Sequence, residues 1–223
     1  MIFLTSDLHF GHNKDFIYEA RGFKSIEEHD KAIIKNWNSV VNDDDDVYVL
    51  GDLMLGDKEH GINCLKQLKG KIHIVIGNHD TINKINLYKE LDNVVEIENI
   101  IILKYNKYRF YLSHYPTITT NHEKNLHSAL FNLYGHTHQT NEFMSMKLFP
   151  NFYKYKDDCA ANFFMYHVGV DSHNCTPVKL DDIIEEIKRT ISNINQIILN
   201  NPILYNIMDK ISHKKGNNNI ENI

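Results

Sequence analysis

The chain has 223 residues, of which 42% are hydrophobic, enough for one sizeable domain with a single core. Its net charge of −5 provides no basic field to neutralise phosphates, which argues against duplex nucleic acid as a partner. No apolar run approaches a membrane-spanning length, and Cys64, Cys159 and Cys175 are too few and too scattered for a disulfide framework or a zinc ribbon.

Residues 2–5 (Ile-Phe-Leu-Thr) are a short apolar run and predict a first strand that ends at Ser6-Asp7. A polar loop over residues 8–22 follows. Ser25 with Glu28 three positions on is a capping box. It opens a helix to about Val41, with Ile26, Ile33, Ile34 and Trp37 on one face. The acidic run from Asp43 to Asp46 reads as a solvated turn. Val47-Tyr48-Val49-Leu50 predicts a second strand, delivering Gly51-Asp52. Residues 56–68 predict a helix stopped by Gly70. Residues 72–76 predict a third strand, delivering Gly77-Asn78-His79-Asp80. A helix over residues 82–91 comes next. Strands follow over 94–98, 100–104 and 109–112, the last ending at Ser113-His114, and then over 130–134, ending at Gly135-His136-Thr137-His138. Residues 163–170 predict a further strand and residues 181–199 a helix, with Asp181 and Asp182 at its N-terminus where the helix dipole favours anions. Helices alternating with strands in the first half indicate an α/β layered fold. A single domain over residues 1–223 is expected, with a lid-like insertion at 139–162 and a helical extension at 181–223.

Five clusters of metal-type ligands therefore stand at or near strand ends: Asp7-x-His9, Gly51-Asp52, Gly77-Asn78-His79-Asp80, His114 and Gly135-His136-x-His138. Strand ends in an α/β sheet are where ligands collect. Asn, His and Asp side by side after a fully apolar strand are costly unless they bind something. His136 and His138, two apart, point to one side of extended backbone. Each cluster alone has a structural explanation, as a cap, a turn or a surface histidine. All five in one chain point to a metal centre.

The set resembles the calcineurin-like metallophosphoesterase superfamily, whose motif order is D-x-H, GD, GNH[D/E], H and GHxH. The stretch Ser6-Asp7-Leu8-His9-Phe10-Gly11-His12-Asn13 is similar to a small bacterial and phage branch, as are Asn36-Trp37-Asn38, Val168-Gly169-Val170-Asp171 and Pro177-Val178. The resemblance implies a β-sandwich flanked by helices. It implies one metal held by Asp7, His9, Asp52 and His138, and a second held by Asp52, Asn78, His114 and His136. His79 would face the leaving group, and Asp80 would orient His79 or support its loop. The implied reaction is hydrolysis of a phosphate mono- or diester, such as a nucleotide, by in-line attack of a hydroxide bridging the two metals. The alternative is a non-catalytic metal-binding interaction module of the same fold. Nitrogen and oxygen donors without thiolate suit manganese, with iron, zinc or nickel as substitutes.

His12 and Arg21, in the loop after the first strand, either contact the substrate phosphate or pack on the loop. The aromatic residues of the 139–162 insertion either stack on a nucleobase or form a local core or a dimer contact. His122 and His127 are expected at the surface. His29, His60, His73, His167, His173 and His213 have no ligand partner nearby in sequence and are expected to be structural. Without a leader-like N-terminus, a cytoplasmic protein is expected, bacterial or viral in a host cytoplasm.

Overall fold

Strand β1 (Ile2–Thr5) lies between β2 (Asp46–Leu50), its parallel neighbour, and β9 (Val178–Lys179), which runs antiparallel to it. The computed structural model describes residues 1–119, 130–143 and 165–200. Beyond β2 the first sheet adds β3 (Lys71–Val75) and β4 (Val94–Glu98), both parallel, in the order β4-β3-β2-β1-β9. The second sheet has the order β5-β6-β7-β8. Its strands are β5 (Ile101–Tyr105), β6 (Tyr108–Leu112), β7 (Leu130–Tyr134) and β8 (Met165–His167). A bridge between Ser6 and Gly169 joins the end of β1 to the segment that leaves β8. The fold is thus mixed α/β, with two sheets flanked by helices.

Alternation along the strands divides the core. Phe3, Val47, Val49, Ile72 and Ile74 share one cluster with Ile33 and Trp37 of helix α2 (Ile26–Val40). Leu65 of α3 (Lys58–Leu65) and Tyr88 of α4 (Ile82–Tyr88) complete it. The alternate residues Leu4, Leu50 and Val75 are buried too, so the first sheet is covered on both faces, as parallel sheets require. Ser25 caps α2 by accepting from the Glu28 amide, while the Glu28 carboxylate accepts from the Lys24 amide, one residue further back than a capping box predicts.

Several element bounds differ from the sequence expectation. The 8–22 loop contains a one-turn helix, α1 (Asp15–Tyr18), too short to show periodicity. Helix α3 starts at Lys58, because the Asp57 side chain accepts from the His60 amide and sets the cap. Helix α4 ends at Tyr88, and β9 has only two residues, below what a pattern can signal. The acidic run is a turn in which Asp45 accepts from the Asn42 amide.

The chain divides into two compact units, Met1–Ile183 and Ile184–Ile223. Helix α5 (Leu180–Leu199) starts one residue before the expected position. No helix among the described residues is long and apolar enough to cross a membrane. Most of the 139–162 insertion, His122, His127, Cys159, His213 and the C-terminal tail lie outside the described residues.

Candidate metal centre

Every ligand cluster sits beyond the C-terminal end of a strand: Asp7 and His9 after β1, Asp52 after β2, Asn78 after β3, His114 after β6, and His136 and His138 after β7. The segments after β1 and β2 stay side by side past their strands. The Asp7 and His9 amides donate to the Gly51 and Asp52 carbonyls, each at 3.0 Å. Asp7, His9, Asp52, His136 and His138 all have positive φ, between 48° and 67°. That local backbone turns their side chains off the strand path and toward one another.

Glycine precedes a ligand cluster three times because no Cβ fits there. A Cβ on Gly77 would collide with Asp52 Oδ1, and one on Gly135 would collide with Ser6 Oγ and Asp7 Oδ2. A Cβ on Gly51 would stand 2.5 Å from His114 Nδ1.

Two donor groups result. Asp7, His9 and His138 form one; Asp52, His114 and His136 form the other. In the first, Asp7 Oδ1 lies 4.0 Å from His9 Nε2 and 3.8 Å from His138 Nε2, with the two imidazole nitrogens 3.2 Å apart. In the second, His114 Nε2 lies 2.8 Å from Asn78 Oδ1 and 3.4 Å from Asp52 Oδ2. Asp52 Oδ2 also lies 3.9 Å from His9 Nε2, so it faces both groups. Donors each about 2.1 Å from one ion lie about 3–3.5 Å apart, so these separations are near those of a shared ion.

Unused valences point the same way. Asp7 Oδ2 accepts from Ser6 Oγ at 2.6 Å and the His136 amide at 2.9 Å. Asp7 Oδ1, also buried, has no hydrogen-bond partner among the described residues. A buried carboxylate oxygen without a donor is costly, and a cation between it and the two imidazoles removes that cost. Nδ1 of His114 is 2.8 Å from the Leu50 carbonyl, which fixes the proton there and leaves Nε2 free to coordinate. The residues present therefore fit divalent metal.

The charges are tuned by these contacts. Burial drives the Asp7 carboxyl above its ordinary pKa, and the nearby His138 and His114 only partly offset it. Burial also acts on Asp52, but the His114 hydrogen bond and charge outweigh it and hold that carboxyl at about 2. Burial and the Arg21 cation keep His9 well below the usual histidine range. His138 is raised: burial lowers it, and the Asp171 carboxylate more than compensates.

His79 and Asp80 occupy different environments. The His79 side chain is 42% exposed, with Nε2 4.0 Å from Asp52 Oδ2, while its amide donates to Asp52 Oδ1 at 2.8 Å. Asp80 is buried and accepts from the Asp52 and Gly77 amides and from the Tyr88 hydroxyl, at 2.8, 2.9 and 2.9 Å. Of the two expected roles for Asp80, these contacts are those of loop support.

His12 lines a cavity of about 500 Å³ together with His9, His79 and His138; Phe16 and Leu55 supply part of its apolar wall. The His12 ring lies 5.4 Å from that of His9 and edge-on to Phe16. Arg21 also borders the cavity, yet its side chain is only 2% exposed. Its guanidinium donates to both Asp171 oxygens at 2.8 and 3.0 Å, to the Asp7 carbonyl at 2.9 Å and to His29 Nε2 at 2.9 Å.

Five residues lack a sequence signal of their own. Asp171 Oδ2 accepts from His138 Nδ1 at 3.1 Å; only its place in the branch-like Val168–Asp171 stretch marked it. Lys84, buried, donates to the Met54 and His79 carbonyls and braces the His79 turn. Asp30, His60 and Cys64 form a third converging donor group, of which His60 was expected to be structural.

A family model described as the calcineurin-like phosphoesterase superfamily domain matches residues 1–149. The chain belongs to that superfamily. An uncharacterized protein of Methanocaldococcus jannaschii is 32% identical over 190 residues, covering 84% of this chain and 92% of the relative. The gene 66 protein of Mycobacterium phage L5 is 39% identical over 80 residues, covering 34% of this chain and 38% of its own. A crystal structure of a protein of unknown function from Aquifex aeolicus superposes with a TM-score of 0.58 at 23% identity, covering 83% of this chain and 98% of that one. That likeness shows a shared fold.

Proposed function

We propose that this chain is a dinuclear metal-dependent phosphoesterase acting on a phosphate mono- or diester. The observation that carries the reading is the position of Asp52 Oδ2, 3.9 Å from His9 Nε2 in one donor group and 3.4 Å from His114 Nε2 in the other. Asp7, His9, Asp52 and His138 would hold one ion, and Asp52, Asn78, His114 and His136 the other. Manganese, iron, zinc or nickel suits this donor set, and manganese is our first choice.

Two such ions would activate water near neutral pH and polarise the phosphoryl oxygens. The protein's own residues do the rest. His79, partly exposed at the cavity, is placed to donate a proton from Nε2 to the departing oxygen. Asp80 and Lys84 fix the turn that presents it. His12 lies where it can hydrogen-bond a phosphate oxygen, and the apolar wall around Phe16 would receive the ester group. Arg21 acts by positioning Asp171 and the Asp7 backbone, because its donors are already engaged.

The test is a screen of metal-loaded protein against p-nitrophenyl phosphate, bis-p-nitrophenyl phosphate, nucleotides and cyclic nucleotides, beside Asp52→Asn. Turnover that Asp52→Asn abolishes supports the reading. Two bound metals without turnover on any of these esters would favour the interaction module instead.

A further inference from the structure

His60 and Cys64 stand four residues apart on α3 and therefore share one face of that helix. Asp30 approaches them from α2. His60 Nε2 lies 2.7 Å from Asp30 Oδ2 and 3.4 Å from Cys64 Sγ, and the three donor atoms all lie within 4.8 Å of one another. One imidazole N–H cannot point at both the oxygen and the sulfur, but one ion can serve all three. Zinc, with nitrogen at about 2.0–2.1 Å and sulfur at about 2.3 Å, sets those two donors about 3.5 Å apart in a tetrahedron.

The carboxylate is already oriented. Asp30 Oδ1 accepts from His29 Nδ1 at 2.7 Å, and Oδ2 accepts from the Gly11 amide at 3.0 Å. Such outer contacts are what hold a ligating carboxylate in place. Cys64 and Asp30 are buried, whereas the His60 side chain is 40% exposed. An ion thus has a route in from solvent, and a water would supply the fourth ligand. A thiolate, an imidazole and a carboxylate favour zinc over magnesium or calcium.

We propose that Asp30, His60 and Cys64 bind one zinc ion, at a site separate from the centre around Asp52. Binding would release the Cys64 Sγ proton, and His60 would coordinate through Nε2 as its neutral Nδ1–H tautomer, with no redox change. The site is coupled to its surroundings. The Gly11 amide belongs to the loop that follows His9, and His29 connects Asp30 to Arg21 and so to Asp171. An ion here would tie α2, α3 and that loop together.

Cobalt titration of the metal-free full chain tests the proposal with a readout that activity does not enter. Among the described residues the centre around Asp52 has no sulfur donor, so its cobalt form is not the expected source of thiolate-to-cobalt charge-transfer absorption. The wild type should show that near-ultraviolet band, with the final intensity of one thiolate-bound cobalt per chain once all sites are filled. Cys64→Ser should abolish it. His60→Ala, at a partly exposed position that folding should tolerate, should bind one equivalent of zinc fewer than wild type. Thermal melts of both variants would confirm that they fold. Absence of the band in the wild type, its survival in Cys64→Ser, or an unchanged zinc count in folded His60→Ala would overturn the proposal.

Discussion

Asp171 Oδ2 lies 3.1 Å from His138 Nδ1, and the same carboxylate is gripped through both oxygens by Arg21, whose own donors reach the Asp7 carbonyl. A residue near the end of the first unit thereby sets the tautomer and ring angle of one proposed ligand, while Arg21 braces the backbone of another. Asp171→Asn keeps the shape but loses the charge. Metal affinity should fall about 10–100-fold, the usual cost of losing such an outer partner, while the fold survives. Equilibrium dialysis of wild type and variant with manganese measures this directly. Equal affinities would reduce Asp171 to a surface anchor for Arg21.

His79→Ala should keep bound metal and lose turnover. General-acid help is worth about 10²–10⁴-fold, so the loss should be large for an alkyl phosphate, whose alkoxide needs a proton. A p-nitrophenyl ester, whose phenolate leaves unaided, should lose far less. Metal content and both rates are measured on one preparation. Loss of metal would make His79 a ligand, and equal losses on both esters would exclude proton donation.

Gly77→Ala should damage the centre although it removes no ligand. The added methyl occupies the space of Asp52 Oδ1 and of the Asp52 amide. Overpacking of this kind costs about 1–3 kcal/mol, and here the group displaced is the proposed bridging carboxylate. Metal content and thermal midpoint should both drop. Wild-type metal content in the alanine variant would show that the Asp52 side chain has another position from which to bind.

His167 gives a pH-dependent term in stability. Burial pushes this imidazole down to about 3, so below the ordinary value of 6.5 the unfolded chain takes up a proton that the folded chain refuses. Stability contributed by the neutral ring is therefore complete above pH 6.5 and falls as the pH drops from 6.5 toward 3. The slope approaches about 1.4 kcal/mol per pH unit. His167→Gln removes that titration. In EDTA, urea denaturation between pH 7.5 and 5 should show a shallower decline for the variant than for the wild type. Parallel curves would mean that the unfolded-state proton goes elsewhere.

Most strands were legible as short apolar runs closed by glycine or a polar residue, whereas the two-residue β9 was not. The ligand clusters were legible because each is contiguous and stands just after such a run. The pairing of strands into two sheets was not, since register depends on residues far apart in the chain, such as Ser6 and Gly169. Arg21 shows the limit most plainly. A cation near the site suggests a phosphate contact, but only the folded chain brings it to Asp171, 150 positions away. Asp30, His60 and Cys64 were invisible for the same reason: they converge only when α2 packs beside α3.

The positive φ values at Asp7, His9, Asp52, His136 and His138 carry a consequence for engineering. An L-residue held in that left-handed region costs about 1–2 kcal/mol, and glycine would relieve it. Replacing His136 by glycine should therefore raise the melting temperature of the metal-free chain even as it removes a ligand. A stability screen run without metal would select against the centre, residue by residue. Asp and His are, with Asn, the side chains most enriched in this backbone region. The alphabet of the site is thus narrowed twice, by coordination chemistry and by the Ramachandran map, and the same letters satisfy both.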